Sequence, residues 1–274
     1  MPNSKHRLTV IGHRLSVNGY LYPMFRVFQL LYVLYAFLMF VALMIPVFVW
    51  SLFAVMAGGR VRGGNLVYRA CMVWGDIWYF LVFLRHRNIY EQPLSKNNSY
   101  IFVCNHTSYL DVPCIVKTFR YPVRPLGKAE MAKVPIFGFI YKTAIVTVDR
   151  SNPANRARSV QELKDVLAKG VSVLVFPEGT FNETDEPLKS FYDGAFRVAI
   201  ETGAPIKPVL MLDNYNRMHY RSIFSLNPGR SRSIFLQEIP TSGYTLTDLP
   251  QLREKVFSIM SQKLVEYQAS WIKV

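Results

Sequence analysis

This sequence predicts an α/β fold behind an N-terminal two-helix membrane anchor, on two observations. From about residue 90 short apolar runs of β type alternate with helical patterns, the signature of an α/β domain. Before that point the chain is apolar and basic. No Asp or Glu precedes Asp76, whereas Lys5, Arg7, Arg14, Arg26, Arg60, Arg62 and Arg69 all do. Basic residues flanking apolar sequence suit lipid headgroups. The expected division is 1–88 for the basic N-terminal segment and its anchoring helices, and 89–274 for the α/β domain.

Composition agrees with this division. Of the 274 residues 51% are hydrophobic and 18% charged, and the net charge is +14. A chain of this length can bury a sizeable core, and its charge suits an anionic partner. Nucleic acid is excluded as that partner, because no reading motif interleaves with the basic residues. Cys71, Cys104 and Cys114 have no metal-ligand spacing and form no disulfide framework, which fits a reducing compartment. Cys104 and Cys114 read as small core residues.

Taken in order, residues 27–50 are almost wholly apolar, and no charge lies between Arg26 and Arg60. About 20 such residues are long enough for a helix to cross a bilayer core. Tyr32, Tyr35 and Trp50 are placed for headgroup level, and Pro46 for a kink in the last turn. Val55-Met56-Ala57 has the look of a signal-peptide cleavage site, but the apolar run is too long and begins too late. Gly58-Gly59 and Gly63-Gly64 then bracket a basic turn. Residues 66–84 form a second apolar segment that carries Arg69 and Asp76 on one helical face. This segment reads as an interfacial or half-inserted helix packing back on the first.

In the α/β region strands are expected at 99–104, 123–126, 144–148, 171–176, 206–212 and 233–238. Helices are expected at 111–119, 133–142, 156–168, 193–201 and 248–270. Gly170 and Gly203 stand where helix-ending glycines belong. In the last helix Leu249, Leu252, Val256, Ile259, Met260, Leu264 and Tyr267 recur at helical spacing, the mark of core packing.

Chemistry concentrates in loops that follow the strands. After Tyr100-Ile101-Phe102-Val103 come Cys104-Asn105-His106, and Asp111 follows His106 five residues later. Histidine can take a proton from a hydroxyl near neutral pH. An aspartate on its other ring nitrogen would fix the tautomer and stabilise the imidazolium. No protein nucleophile is needed if the substrate brings its own hydroxyl, and that is the chemistry of moving an acyl group from a thioester to an alcohol. Lys128 and Arg150 stand at the ends of predicted strands, where cations can hold a phosphate or an oxyanion. A third strand ends in Phe176-Pro177-Glu178-Gly179-Thr180, where Pro177 stops the ladder and Gly179 allows a tight turn. Ala204-Pro205-Ile206-Lys207-Pro208 opens a strand bounded by prolines.

Together these stretches resemble the glycerolipid acyltransferase family, of the 1-acyl-sn-glycerol-3-phosphate (lysophosphatidic acid) acyltransferase type. The likeness runs from about Ser99 to Leu210, in family order: Asn-His-x4-Asp, Gly-x-x-Glu, Asp-Arg, Phe-Pro-Glu-Gly-Thr and the proline-bounded strand. The resemblance implies that His106 is the general base on the acceptor hydroxyl and Asp111 its orienting partner. It also implies that Glu178, Gly179 and Thr180 hold the acceptor and that Arg150 binds its phosphate. Lys128 is a candidate for oxyanion or phosphate contact. The implied fold is α/β with a mixed sheet flanked by helices. The implied donor is an acyl thioester of acyl carrier protein or coenzyme A, with no cofactor or metal. The implied partner is a lipid membrane, and thioester donors place the domain on the cytoplasmic face, of a bacterial inner membrane in the simplest setting.

One residue departs from the pattern. The family commonly continues Phe-Pro-Glu-Gly-Thr with an arginine that binds the acceptor's phosphate, and here Phe181 stands there, followed by Glu183, Asp185 and Glu186. The change removes an attraction for phosphate and adds repulsion. Arg150, Lys128, Lys189 and Arg197 are the candidates to compensate. The alternative acceptor is a lyso-aminolipid such as lyso-ornithine. A catalytically silent membrane-binding protein is disfavoured, because His106, Asp111 and Glu178 are all present.

Overall fold

The computed structural model describes residues 5–95, 98–148 and 153–272, with side chains from residue 26 onward except at 60, 153 and 156. Helix α1 is Lys5–Gly58. Along it Val33, Ala36, Met44, Val47, Ser51 and Ala54 are buried, with half-buried Phe40 between Ala36 and Met44 completing the three- and four-residue spacing, while Phe28, Leu31, Phe37, Leu38, Ile45 and Phe53 are exposed on the rest of its surface. Its stretch Arg26–Gly58 has mean hydropathy 2.5 and is the one helix among the described residues long and apolar enough to cross a membrane. Five residues with widened turns, Gly59–Gly63, lead into α2, Gly64–Leu81.

Helix α2 does pack back on α1. The indoles of Trp74 and Trp78 donate to the carbonyls of Phe40 and Ala36 at 3.3 and 2.9 Å, and Phe40 meets both rings edge-on. The expectation of two anchoring helices is nevertheless not confirmed, since only α1 has the length and apolarity. The reason lies in the second segment itself. Val67, Tyr68, Trp74, Trp78 and Tyr79 are covered by protein, and Asp76 is held by Lys117 and Arg120 of the body at 2.5 and 2.7 Å. Within the described residues α2 is the bridge between α1 and the sheet.

The strands are β1 (Leu84–Tyr90), β2 (Ile101–Cys104), β3 (Val123–Lys128), β4 (Val146–Val148), β5 (Ser172–Val175), β6 (Ile206–Met211) and β7 (Gly229–Phe235). They form one mixed sheet in the order β1-β7-β6-β2-β5-β3-β4. Strands β2 to β6 run parallel, β7 is antiparallel to β6, and β1 is parallel to β7. Strand β1 crosses the boundary expected between residues 88 and 89. Its pattern was hidden because Arg85 and Arg87 face outward on an edge strand, so the run reads as polar.

Six further α-helices stand among the described residues after β1, α3 (Asp111–Thr118), α4 (Phe137–Ala144), α5 (Pro153–Ala168), α6 (Gly194–Thr202), the short α7 (Asn214–Arg217) and α8 (Leu249–Glu266), with 3₁₀ turns at Ala129–Lys133, Ile223–Ser225 and Leu246–Asp248. Side-chain alternation along the strands divides the core into two. Phe102, Cys104, Leu174, Val209 and Phe235 point to the layer of α1, α2, α3 and α4. Ile101, Val103, Val173, Val175 and Leu210 point to that of α5, α6 and α8. Because β2 to β6 are parallel, their C-terminal ends share one sheet edge. In open α/β sheets that edge is where ligands bind.

Candidate active site

The site is built where β2 and β5 end. Just past β2, the Asn105 amide donates to the carbonyl of Met211 at 3.0 Å and accepts the Met211 N–H at 2.8 Å. This fully buried side chain continues the pairing with β6 and sets where the chain leaves the sheet. The next residue, His106, therefore emerges at the edge. Asp111 opens α3, where a carboxylate is favoured by the helix N-terminus.

The Asp111 carboxylate is fully buried and densely held. Oδ2 lies 2.9 Å from His106 Nδ1 and accepts the N–H groups of Thr107 and Ser108 at 2.8 and 2.9 Å. Oδ1 accepts from the Asn214 amide at 2.9 Å. His106 Nδ1 is thus the donor to a fixed anion, and Nε2 is left as the acceptor. Among the described hydrogen bonds none occupies Nε2, and the side chain is 16% exposed. The ring is clamped between Phe176, stacked at 4.2 Å, and Phe181, tilted at 4.4 Å, with Tyr109 edge-on to Phe181 at 4.9 Å.

Glu178 ties the two motif loops together. Its Oε1 accepts the His106 N–H at 2.8 Å and its Oε2 the Lys189 N–H at 2.9 Å. The Asn182 N–H returns a bond to the His106 carbonyl at 2.7 Å. Gly179 sits at φ 74°, a left-handed conformation that lets the loop turn back beneath the histidine. Burial pushes the Glu178 carboxyl up to about 8, against the two N–H donors and Lys189, which pull it down. A carboxyl raised by folding stabilises the fold fully below its unfolded value, and that contribution is lost as pH rises through about 8. Melting temperature should therefore fall between pH 5 and 9 more steeply in the wild type than in Glu178→Gln. Equal slopes would remove Glu178 as the cause.

Of the residues expected from the sequence, His106, Asp111, Glu178, Gly179 and Thr180 come together. Lys128 stands exposed at the end of β3, on the same edge but beyond β5. Arg150 lies outside the described residues. Among the candidate compensating cations, Lys189 reaches the motif, its Nζ donating to Thr180 Oγ1 at 2.9 Å. Arg197 turns instead toward Glu201 on its own helix.

Sequence reading missed Asn214 and the role of Phe176. Asn214 follows the end of β6, and its place on the shared edge was the available signal. Its carbonyl accepts from Ser231 Oγ at 3.0 Å, and Ser231 in turn meets His86 Nδ1 at 3.0 Å. A buried polar chain thus runs from β1 to Asp111. Asn214→Leu should leave Oδ1 without a donor at a cost of about 1–3 kcal/mol. The expected result is a lower kcat with KM unchanged; an unaltered kcat would make the contact purely structural.

This geometry defines a class: an α/β sheet whose edge presents an oriented histidine–aspartate pair with no described protein nucleophile on the histidine. Residues 86–212 match the Acyltransferase family model, the family that the motifs resemble. An uncharacterized acyltransferase of Schizosaccharomyces pombe is 30% identical over 64% of this chain and 64% of its own length. A 1-acyl-sn-glycerol-3-phosphate acyltransferase of Cocos nucifera is 29% identical over 63% of this chain and 56% of its own. The matched region therefore spans less than two thirds of either relative. That of Haemophilus influenzae is 27% identical over 70% of this chain and 80% of its own length. The crystal structure of the 1-acyl-sn-glycerophosphate (LPA) acyltransferase PlsC from Thermotoga maritima superposes with a TM-score of 0.73 at 23% identity, covering 90% of this chain and 99% of that one. That likeness shows the fold.

Proposed function

We propose that this protein is a membrane-associated O-acyltransferase that moves a fatty acyl group from an acyl thioester to the free hydroxyl of 1-acyl-glycerol 3-phosphate, giving phosphatidic acid. The observation that carries the reading is His106, with Nδ1 committed to Asp111 and Nε2 open beside the Phe-Pro-Glu-Gly-Thr loop. In the reaction Nε2 takes the acceptor's hydroxyl proton as the oxygen attacks the thioester carbonyl. The tetrahedral oxyanion collapses, the C–S bond breaks, and the imidazolium returns the proton to the departing thiolate. Asp111 stabilises the imidazolium between these two transfers.

The site residues take roles by position. Glu178 and Gly179 shape the loop under the acceptor, while Thr180 and Lys189 offer a hydroxyl and a cation beside it. Lys128 supplies further positive charge along the edge for a phosphate or the oxyanion, and Arg150 is the cation that the motif likeness assigns to the phosphate. The donor is a thioester of acyl carrier protein or coenzyme A, and the chemistry needs no cofactor. An apolar cavity of about 90 Å³ between α1, α2, α3 and α4, lined by Phe40, Met44, Trp74, Val112, Ile140 and Ile145, lies under the helix that Asp111 opens and suits the start of an acyl chain.

Membrane association is proposed through the outward face of α1. The body touches this helix at Gln29, which donates to the carbonyl of Leu226, and again where Phe48 meets Phe139 of α4 at 5.8 Å. Nineteen residues separate these contacts, about 28 Å of helix, close to a bilayer core of about 30 Å. A helix braced to the body at both points lies along the membrane surface with its apolar face immersed, and the thioester pool places the body on the cytoplasmic face.

A second reading has its own observation. Phe181 packs on the catalytic ring where a phosphate-binding arginine is usual, and exposed Glu183, Asp185 and Glu186 follow. An aromatic face beside carboxylates suits a cationic headgroup, as in a lyso-aminolipid. Acceptor competition on purified protein, with a labelled acyl thioester, separates the two readings. Transfer to the phosphate-bearing acceptor supports the first, and transfer to the aminolipid alone replaces it. Lys189→Ala should raise KM for the phosphate-bearing acceptor without lowering kcat, and an unchanged KM would remove Lys189 from the acceptor site.

A further inference from the structure

The chain between α7 and β7 carries a feature that the reaction does not use. A 3₁₀ turn, Ile223–Ser225, leaves Ile223 49% and Phe224 60% exposed. Several of its polar groups are satisfied locally. Ser222 Oγ accepts the Phe224 N–H at 3.1 Å, the Ser222 carbonyl accepts the Ser225 N–H at 3.1 Å, and Ser225 Oγ accepts the His219 N–H at 2.7 Å. A turn that hides most of its donors leaves water at lower cost.

The turn is also joined to α1. Gln29 donates to the carbonyls of Phe224 and Leu226, and Leu226 is buried in the core shared with α1 and α2. On the same end of α1, Tyr32 donates to the carbonyl of Val82 at 2.6 Å, and Gly229 donates to that of Phe83 at 3.1 Å. Phe83 sits at φ 56° and is 68% exposed. A bulky residue held left-handed and outward is strained, and such strain points to use. Phe28, 62% exposed, is one residue from Gln29. Arg217 and Arg221 precede the turn, while Arg230 and Arg232 beyond it pair with Asp213.

We propose that the turn Ile223–Ser225 is a membrane-contacting element in its own right, seating Ile223 and Phe224 at the headgroup level of an anionic phospholipid bilayer beside α1. Two features select this partner: the apolar residues continue the outward face of α1, and Arg217 and Arg221 just before the turn are complementary to anionic headgroups. The element acts next to the catalytic loop. Ser108 donates to the carbonyl of Met218, and Tyr220 reaches the carbonyl of Glu183 at 3.4 Å. Seating the turn therefore fixes the height of the His106 loop above the lipid. The inference rests on the reading that the outward face of α1 is immersed.

The test uses full-length protein reconstituted in vesicles of phosphatidylethanolamine and phosphatidylglycerol, with nitroxide labels at Phe224→Cys, Ile223→Cys, Phe37→Cys on α1 and Val265→Cys on α8. The unsubstituted protein supplies the background from the native cysteines. Labels at 223 and 224 should collide several-fold more with oxygen than with a water-soluble nickel chelate, as the α1 label does, and the α8 label should show the reverse. Chelate access at 223 and 224 with lipid-like behaviour at 37 would overturn the proposal alone. Chelate access at 37 as well would overturn the immersed reading of α1 beneath it. Spectral broadening at 224 that vanishes on dilution with unlabelled protein would mean that a second copy covers the turn, and would also overturn it.

Discussion

His106→Ala should lower acyl transfer by about 10²–10⁴-fold while leaving the protein folded, the range expected for losing a general base. The substitution removes the one group whose open nitrogen faces the acceptor, yet Asp111 Oδ2 keeps the N–H groups of Thr107 and Ser108. The fold therefore loses little. Asp111→Asn should behave differently, because the same carboxylate serves four donors. Its replacement should reduce both the rate and the melting temperature. Single-turnover transfer from a labelled acyl thioester to 1-acyl-glycerol 3-phosphate, together with a thermal melt, checks both. Retention of transfer by His106→Ala would sink both acceptor readings at once.

Phe181→Arg is expected to lower KM for the phosphate-bearing acceptor by about 10- to 100-fold, the worth of a charge-assisted hydrogen bond of about 1.5–3 kcal/mol. Phe181 lies 4.4 Å from the catalytic ring, so a guanidinium there would stand beside the acceptor. Turnover should fall modestly, because the ring loses one side of its clamp. The same substitution should depress transfer to a lyso-aminolipid by charge repulsion. An unchanged KM for both acceptors would place the headgroup away from residue 181.

Most of the α/β pattern was readable because its signals are local. The apolar run Ile101-Phe102-Val103-Cys104, the glycine at 203 and the spacing along α8 each belong to one short stretch. The resemblance to the acyltransferase family was readable for the same reason, since each motif is a few consecutive residues. Strand β1 was not, because an edge strand with outward arginines shows no apolar alternation. Asn214 was not, because nothing in Asp213-Asn214-Tyr215 says which carboxylate it will meet 103 positions away.

By itself the sequence determined the class of fold, the apolarity of α1, the family resemblance and the histidine–aspartate pair, all of which rest on residue type at short range. Tertiary structure decided what depends on distant segments meeting. The return of α2 onto α1 is set by two indoles and by Asp76 meeting the cations of Lys117 and Arg120. The orientation of His106 is set by a loop after β2, a carboxyl after β5 and an amide after β6. The physical reason is the parallel sheet. It carries the ends of strands far apart in sequence to one edge, where buried polar groups must find partners or bear the cost of having none.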